Sequence, residues 1–155
     1  MTVGRPEDRD ADDPPGFRAG YQRLAPLLGA SLLGATVYEL PAGEALCPYH
    51  YEYGEEEWLL VLAGRPSVRH PEGVDALEPL DLVVFPPGPT GAHQVRNDGD
   101  EPARVLMFSN RCVPAASVYP DSDKIGIWTG EKADDLLVRR TSGVGYWEGE
   151  APAST

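Results

Sequence analysis

The sequence predicts an all-β domain, a sandwich or barrel of short strands. Three observations carry this. Gly 17 and Pro 16 in 155 residues is nearly twice the usual background for the pair. Apolar runs of about four to eight residues alternate with turn residues along most of the chain. At 41% hydrophobic, the chain is too apolar to stay disordered and too often interrupted for a helix bundle.

The elements follow in order. Residues 1–16 (MTVGRPEDRDADDPPG) are rich in Asp, Glu and Pro and read as a disordered or loosely docked tail. Arg23–Leu28 can hold a helical turn or two. Ser31–Leu40 is a strand that ends at Pro41-Ala42-Gly43, and Glu57–Leu62 is a strand that ends at Ala63-Gly64-Arg65-Pro66. Ser67–His70 and Val74–Leu77 flank Pro71-Glu72-Gly73 as a hairpin. Leu82–Phe85 runs into Pro86-Pro87-Gly88-Pro89, and His93–Arg96 and Ala103–Ser109 flank a turn rich in Asn, Asp and Gly. Residues 118–128 read as a structured loop followed by the short strand Ile125–Trp128. Glu131–Leu137 has an acidic first turn and is expected to be briefly helical. Tyr146 and Trp147 are expected to dock, and 149–155 to fray. There is no internal repeat, so 17–148 is expected to be one domain with its barrel core over about residues 30–130.

Composition removes several functions. A formal net charge of −12 opposes nucleic-acid binding, which rewards clustered positive charge. No apolar run approaches the roughly 20 residues that span a bilayer, and Met1–Pro15 lacks the apolar stretch of a signal peptide. Cys47 and Cys112 make no disulfide framework, so a cytoplasmic protein with reduced, buried thiols is expected.

The chemistry concentrates around two of the three histidines. His50 and Glu52 alternate in one extended stretch and share a face. Across Tyr53-Gly54, Glu57 lies on the same face as Leu59 and Val61. A carboxylate on an apolar face is costly to bury unpaired, and a cation would remove the cost. Imidazole and carboxylate together suit divalent ions such as Mn, Fe and Zn. The competing account of each histidine is a hydrogen-bonded core residue. Glu55 and Glu56 read as a solvated turn, with either able to replace Glu57 if the register slips by one; His70 reads as an exposed turn residue, and Cys47 has the wrong parity to face His50 and Glu52 if the strand already runs there. Arg69, Arg96 and Arg104 are either anion contacts or, as the stronger alternative, partners of surplus carboxylates. Met107, on the face of Val105 and Ser109, is expected to point inward.

These residues resemble the cupins. The first cupin motif, G-x5-H-x-H-x3,4-E-x6-G, is matched by His50-x-Glu52-x4-Glu57-x6-Gly64, with Gly43 one residue further upstream than usual. The second, G-x5-P-x-G-x2-H-x3-N, is matched by Pro86, Gly88, a four-residue spacer, His93 and Asn97, with Leu80 where the first glycine is expected. The resemblance implies a jelly-roll barrel, a double-stranded β-helix, with one divalent ion (Mn, Fe, Zn or Ni) inside. Its ligands would be His50, Glu57 and His93, with Glu52 in the fourth position where the family has histidine. Glu52 could instead orient a ligand, or act as an acid-base group in a metal-free pocket. The sequence assigns no catalytic residue. Three functions follow as expectations: a metal enzyme acting on a small organic molecule (a dioxygenase, isomerase or hydrolase-like catalyst), a metal-free sugar or phosphosugar binding module, and a regulatory partner domain. A homodimer is expected, with Ser31–Leu40 or Ile125–Trp128 covering an open sheet edge across a two-fold axis.

Overall fold

The structure, a computed structural model, describes residues 6–7, 10 and 12–151. The expected tail falls partly outside these residues, as do 152–155. Asp10 accepts a hydrogen bond from the Tyr21 hydroxyl (3.0 Å), and Gly16 O accepts one from the Ala45 amide (2.8 Å).

Twelve strands are present among the described residues. The first sheet has the order β1-β2-β9-β4-β7, built from β1 (Gly20–Arg23), β2 (Leu33–Leu40), β9 (Ala103–Asn110), β4 (Glu57–Ala63) and β7 (Leu82–Phe85). The second has the order β12-β11-β10-β3, from β12 (Leu136–Arg139), β11 (Lys124–Trp128), β10 (Ala115–Tyr119) and β3 (Tyr51–Tyr53). The third has the order β6-β5-β8, from β6 (Gly73–Ala76), β5 (Ser67–His70) and β8 (Gln94–Arg96). Every pairing is antiparallel. Residues 45–50 run beside β8 through the bridges Ala45↔Arg96 and His50↔His93, then continue as β3 into the second sheet. His50 therefore sits where the chain passes from one sheet to the other.

Alternation decides what is buried. On β4, Leu59 and Val61 point in, and they pack with Leu40, Val105, Val95, Phe85 and Val68 in the main core. Met107 lies against that core, as its parity on β9 requires. Asn97, 1% exposed, donates from Nδ2 to Leu40 O (2.9 Å) and Glu101 O (2.8 Å), which pins the turn from β8 to β9. Among the described residues no helix is long and apolar enough to cross a membrane.

Several expectations are corrected. Glu131–Leu137 is not helical: after a turn, Leu136–Arg139 pairs with β11, because the sheet offers ladder bonds that a two-turn helix cannot match. Residues 118 and 119 belong to strand β10, not to a loop. Ser31–Leu40 and Ile125–Trp128 cannot cover an edge across a two-fold axis, because β2 and β11 are both interior to their sheets. Tyr146 and Trp147 meet each other edge to face and remain 85% and 76% exposed, so they do not dock on this chain. His70 ends β5 half-buried, with Nε2 3.2 Å from Asp75. Both thiols are half-buried and unpaired. The helix at the start is present as α1 (Leu24–Leu28).

Candidate metal centre

His50 and His93 face each other through their backbones: each amide donates to the other's carbonyl, at 3.0 and 2.7 Å. Their rings lie 4.7 Å apart as a result. The ring nitrogens are then fixed by carbonyls. His50 Nδ1 lies 3.0 Å from Pro48 O, and His93 Nδ1 lies 2.9 Å from Gly91 O. A carbonyl only accepts, so each Nδ1 carries the proton and each Nε2 keeps a free lone pair. Gly91 is needed for this loop, because a Cβ there would come within 1.8 Å of Pro86 O. The two extra residues between Gly88 and His93 are taken up by a 3-10 turn over Pro89–Gly91. Phe85 stacks on the His93 ring at 3.6 Å and Tyr119 on the His50 ring at 5.9 Å.

Glu57 begins β4 opposite Phe85 on β7 and Ser109 on β9. Its Oε2 lies 3.8 Å from His50 Nε2 and 3.5 Å from His93 Nε2. These distances are too long for hydrogen bonds and close to the spacing, about 3.4 Å, of tetrahedral donors around one ion bound at about 2.1 Å. His50, Glu57 and His93 each offer a donor atom, all within 4.8 Å of one another, and so could hold a metal ion. Burial keeps both imidazoles neutral: it lowers His50 below its ordinary value and, with His50 alongside, takes His93 down to about 3. Burial, then the charges of Glu52 and Glu55, push Glu57 up to about 7. A cation would relieve the cost of ionising it. The donor set, two neutral imidazoles and one carboxylate, fits a divalent transition ion.

Glu52 is placed beside this group but outside it. Its Oε1 is 3.8 Å from His50 Nε2, while both carboxylate oxygens accept from the Ser117 hydroxyl at 2.7 and 2.8 Å. Burial raises Glu52 to about 6, partly offset by that hydrogen bond.

A cavity of about 190 Å³ reaches the group, lined by Tyr38, Leu46, Cys47, Val95 and Met107 with His50, Glu57 and His93. Cys47 thus belongs to the site, with Sγ 3.5 Å from His50 Nδ1. The parity rule excludes it only if a strand already runs there, and residues 46–49 are bends. Burial, with Glu57 and Glu52 nearby, pushes this thiol up, so it stays protonated. The three arginines are all taken by carboxylates: Arg69 by Asp121 (2.6 and 2.9 Å), Arg96 by Asp98 (3.2 Å) and Arg104 by Glu39 (2.5 Å). Glu55 and Glu56 brace the turn, accepting from the Cys112 amide (3.0 Å) and Trp58 Nε1 (2.8 Å).

The family model for the cupin domain matches residues 36–109. Residues 36–109 therefore carry a cupin domain. Cupins of known structure share its fold. A provisionally named sugar phosphate isomerase from Acidithiobacillus ferrooxidans is 24% identical, with TM-score 0.77, over 84% of this chain and 82% of its own. A sugar phosphate isomerase of the cupin superfamily from Silicibacter pomeroyi is 24% identical, with TM-score 0.75, over 80% and 78%. The polyketide cyclase RemF from Streptomyces resistomycificus is 18% identical, with TM-score 0.56, over 71% and 79%. At these identities the likeness is one of fold. A comparison with curated proteins returns no match. The cupin match covers His50, Glu52, Glu57 and His93 but not Ser117 or Trp128.

Proposed function

We propose that this cupin holds one divalent metal ion (Mn, Fe, Zn or Ni) through His50, Glu57 and His93, with Glu52 beside the ion rather than among its three ligands. A small organic molecule binds or reacts at the open side. The observation that carries the proposal is the convergence of two neutral imidazoles, each with its Nε2 free, on one buried carboxylate. The ion would supply Lewis-acid chemistry, polarising an oxygen of the bound molecule. The chain's part is to fix the imidazoles through Pro48 O and Gly91 O and to shield the site with Phe85, Tyr119 and the cavity wall. A cavity of about 190 Å³ suits a small molecule. The residues lining it include no Lys or Arg, which favours an uncharged ligand over an anion. Unpaired thiols fit a cytoplasmic protein, and exposed Leu136, Tyr146 and Trp147 offer a surface for a homodimer.

A second reading, binding or isomerisation of a sugar phosphate, is favoured by the names of two structures of like fold. Elemental mass spectrometry on untagged protein separates the two. The first reading expects about one metal per chain, lost in His50→Ala. Metal-free protein whose thermal stability rises with sugar phosphates, and is indifferent to chelators, would replace it with the second.

A further inference from the structure

Three strands outside or at the edge of the metal group arrange a chain of side chains behind Glu52. In the second sheet Glu52 on β3 sits directly opposite Ser117 on β10, and Ser117 directly opposite Gly126 on β11. Trp128, two residues beyond Gly126, folds its ring back over that glycine; a Cβ at position 126 would lie 2.6 Å from the ring. The indole Nε1–H thereby reaches Ser117 Oγ at 2.6 Å. An indole N–H can only donate, so Ser117 must accept from it and turn its own proton to Glu52. Ser117 is 1% exposed, which keeps solvent from competing for that proton.

The consequence lies in the carboxylate's geometry. The Ser117 hydroxyl straddles both Glu52 oxygens, at 2.7 and 2.8 Å, on the side where their lone pairs converge. That is the side a cation would otherwise take. Resting on the metal reading above, we propose that Ser117 and Trp128 are positioning residues that hold Glu52 off the ion.

Co(II) binding to the full-length, untagged protein tests this, read by calorimetry and by the visible absorption of the bound ion. Glu52→Gln is expected to bind Co(II) within about threefold of wild type with the same spectrum, whereas His50→Ala loses about 100-fold or more. Ser117→Ala frees the carboxylate to reach the ion, so affinity rises by about threefold or more and the spectrum shifts. Ser117→Thr, which keeps the hydroxyl, restores both, and Trp128→Phe moves them in the direction of Ser117→Ala by less. A Glu52→Gln protein that loses Co(II) as His50→Ala does would overturn the proposal and make Glu52 a ligand. So would a Ser117→Ala protein unchanged in both readouts. Wild-type protein that takes up no Co(II) would overturn the metal reading itself and this inference with it.

Discussion

Two sides of the same site are held by different means. On the imidazole side, His50 and His93 are fixed by main chain: they pair across two strands, and carbonyls orient both rings. On the carboxylate side, Glu52 is fixed by side chains from strands 65 and more residues away, Ser117 and behind it Trp128. Backbone pairing survives most substitutions, so the first arrangement is durable. A side-chain relay is lost with one atom, so the second can be altered without disturbing the barrel. The difference makes a fixed metal-holding half and an adjustable half beside it.

The comparison breaks most severely at His93. His93→Ala is expected to lower metal affinity by about 100-fold or more, measured by calorimetry, while the fold survives by circular dichroism. Next is Phe85, buried in the core and stacked on His93. Phe85→Ala should cost about 3–5 kcal/mol in urea unfolding and weaken metal binding with it. A loss confined to stability would show that the ring does not help to orient the imidazole.

A smaller effect appears in pH dependence after chelation. Glu57 is raised from 4.5 to about 7, so its ionisation on going up from about pH 4.5 to 7 destabilises the folded state. His93 is lowered from 6.5 to about 3, so stability falls as pH drops through that range. Between about pH 4.5 and 6.5 the two slopes oppose each other. Metal-free wild type should therefore vary little there, whereas metal-free Glu57→Gln should lose stability with acidification, at most about 1.4 kcal/mol per pH unit. Equal slopes in denaturant titrations of the two proteins would contradict the buried placement of Glu57.

The smallest effect sits at a departure from the family motif. Leu80 stands where cupins have glycine, and it keeps a left-handed backbone with φ 76° while 80% exposed. Leu80→Gly should relieve that strain and stabilise by about 0.5–1 kcal/mol, with metal binding unchanged.

The fold and the imidazole side were legible in the sequence because both depend on short-range patterns. Turn residues bound the strands, and alternation puts Glu57 with Leu59 and Val61 on one face and Met107 with Val105 on another. The carboxylate side was not legible. Ser117 reaches Glu52 only because β10 pairs with β3, a register that no local spacing encodes. Ser117 fell in no expected strand and so had no face to be assigned to, and Trp128 lay in the expected strand Ile125–Trp128 with no partner strand to show where its indole would reach. Cys47 was missed for a related reason: parity holds in strands, and its segment bends. The one available signal was Gly126 two residues before Trp128, a gap that lets an aromatic ring lie flat against its own strand.

The most direct test of the shared-ion account is anomalous diffraction from crystals grown with a divalent transition metal. The account predicts a single strong peak about 2.0–2.2 Å from Nε2 of His50, Nε2 of His93 and one oxygen of Glu57. A map with no peak there, or with the two imidazoles turned away from a common point, would contradict it.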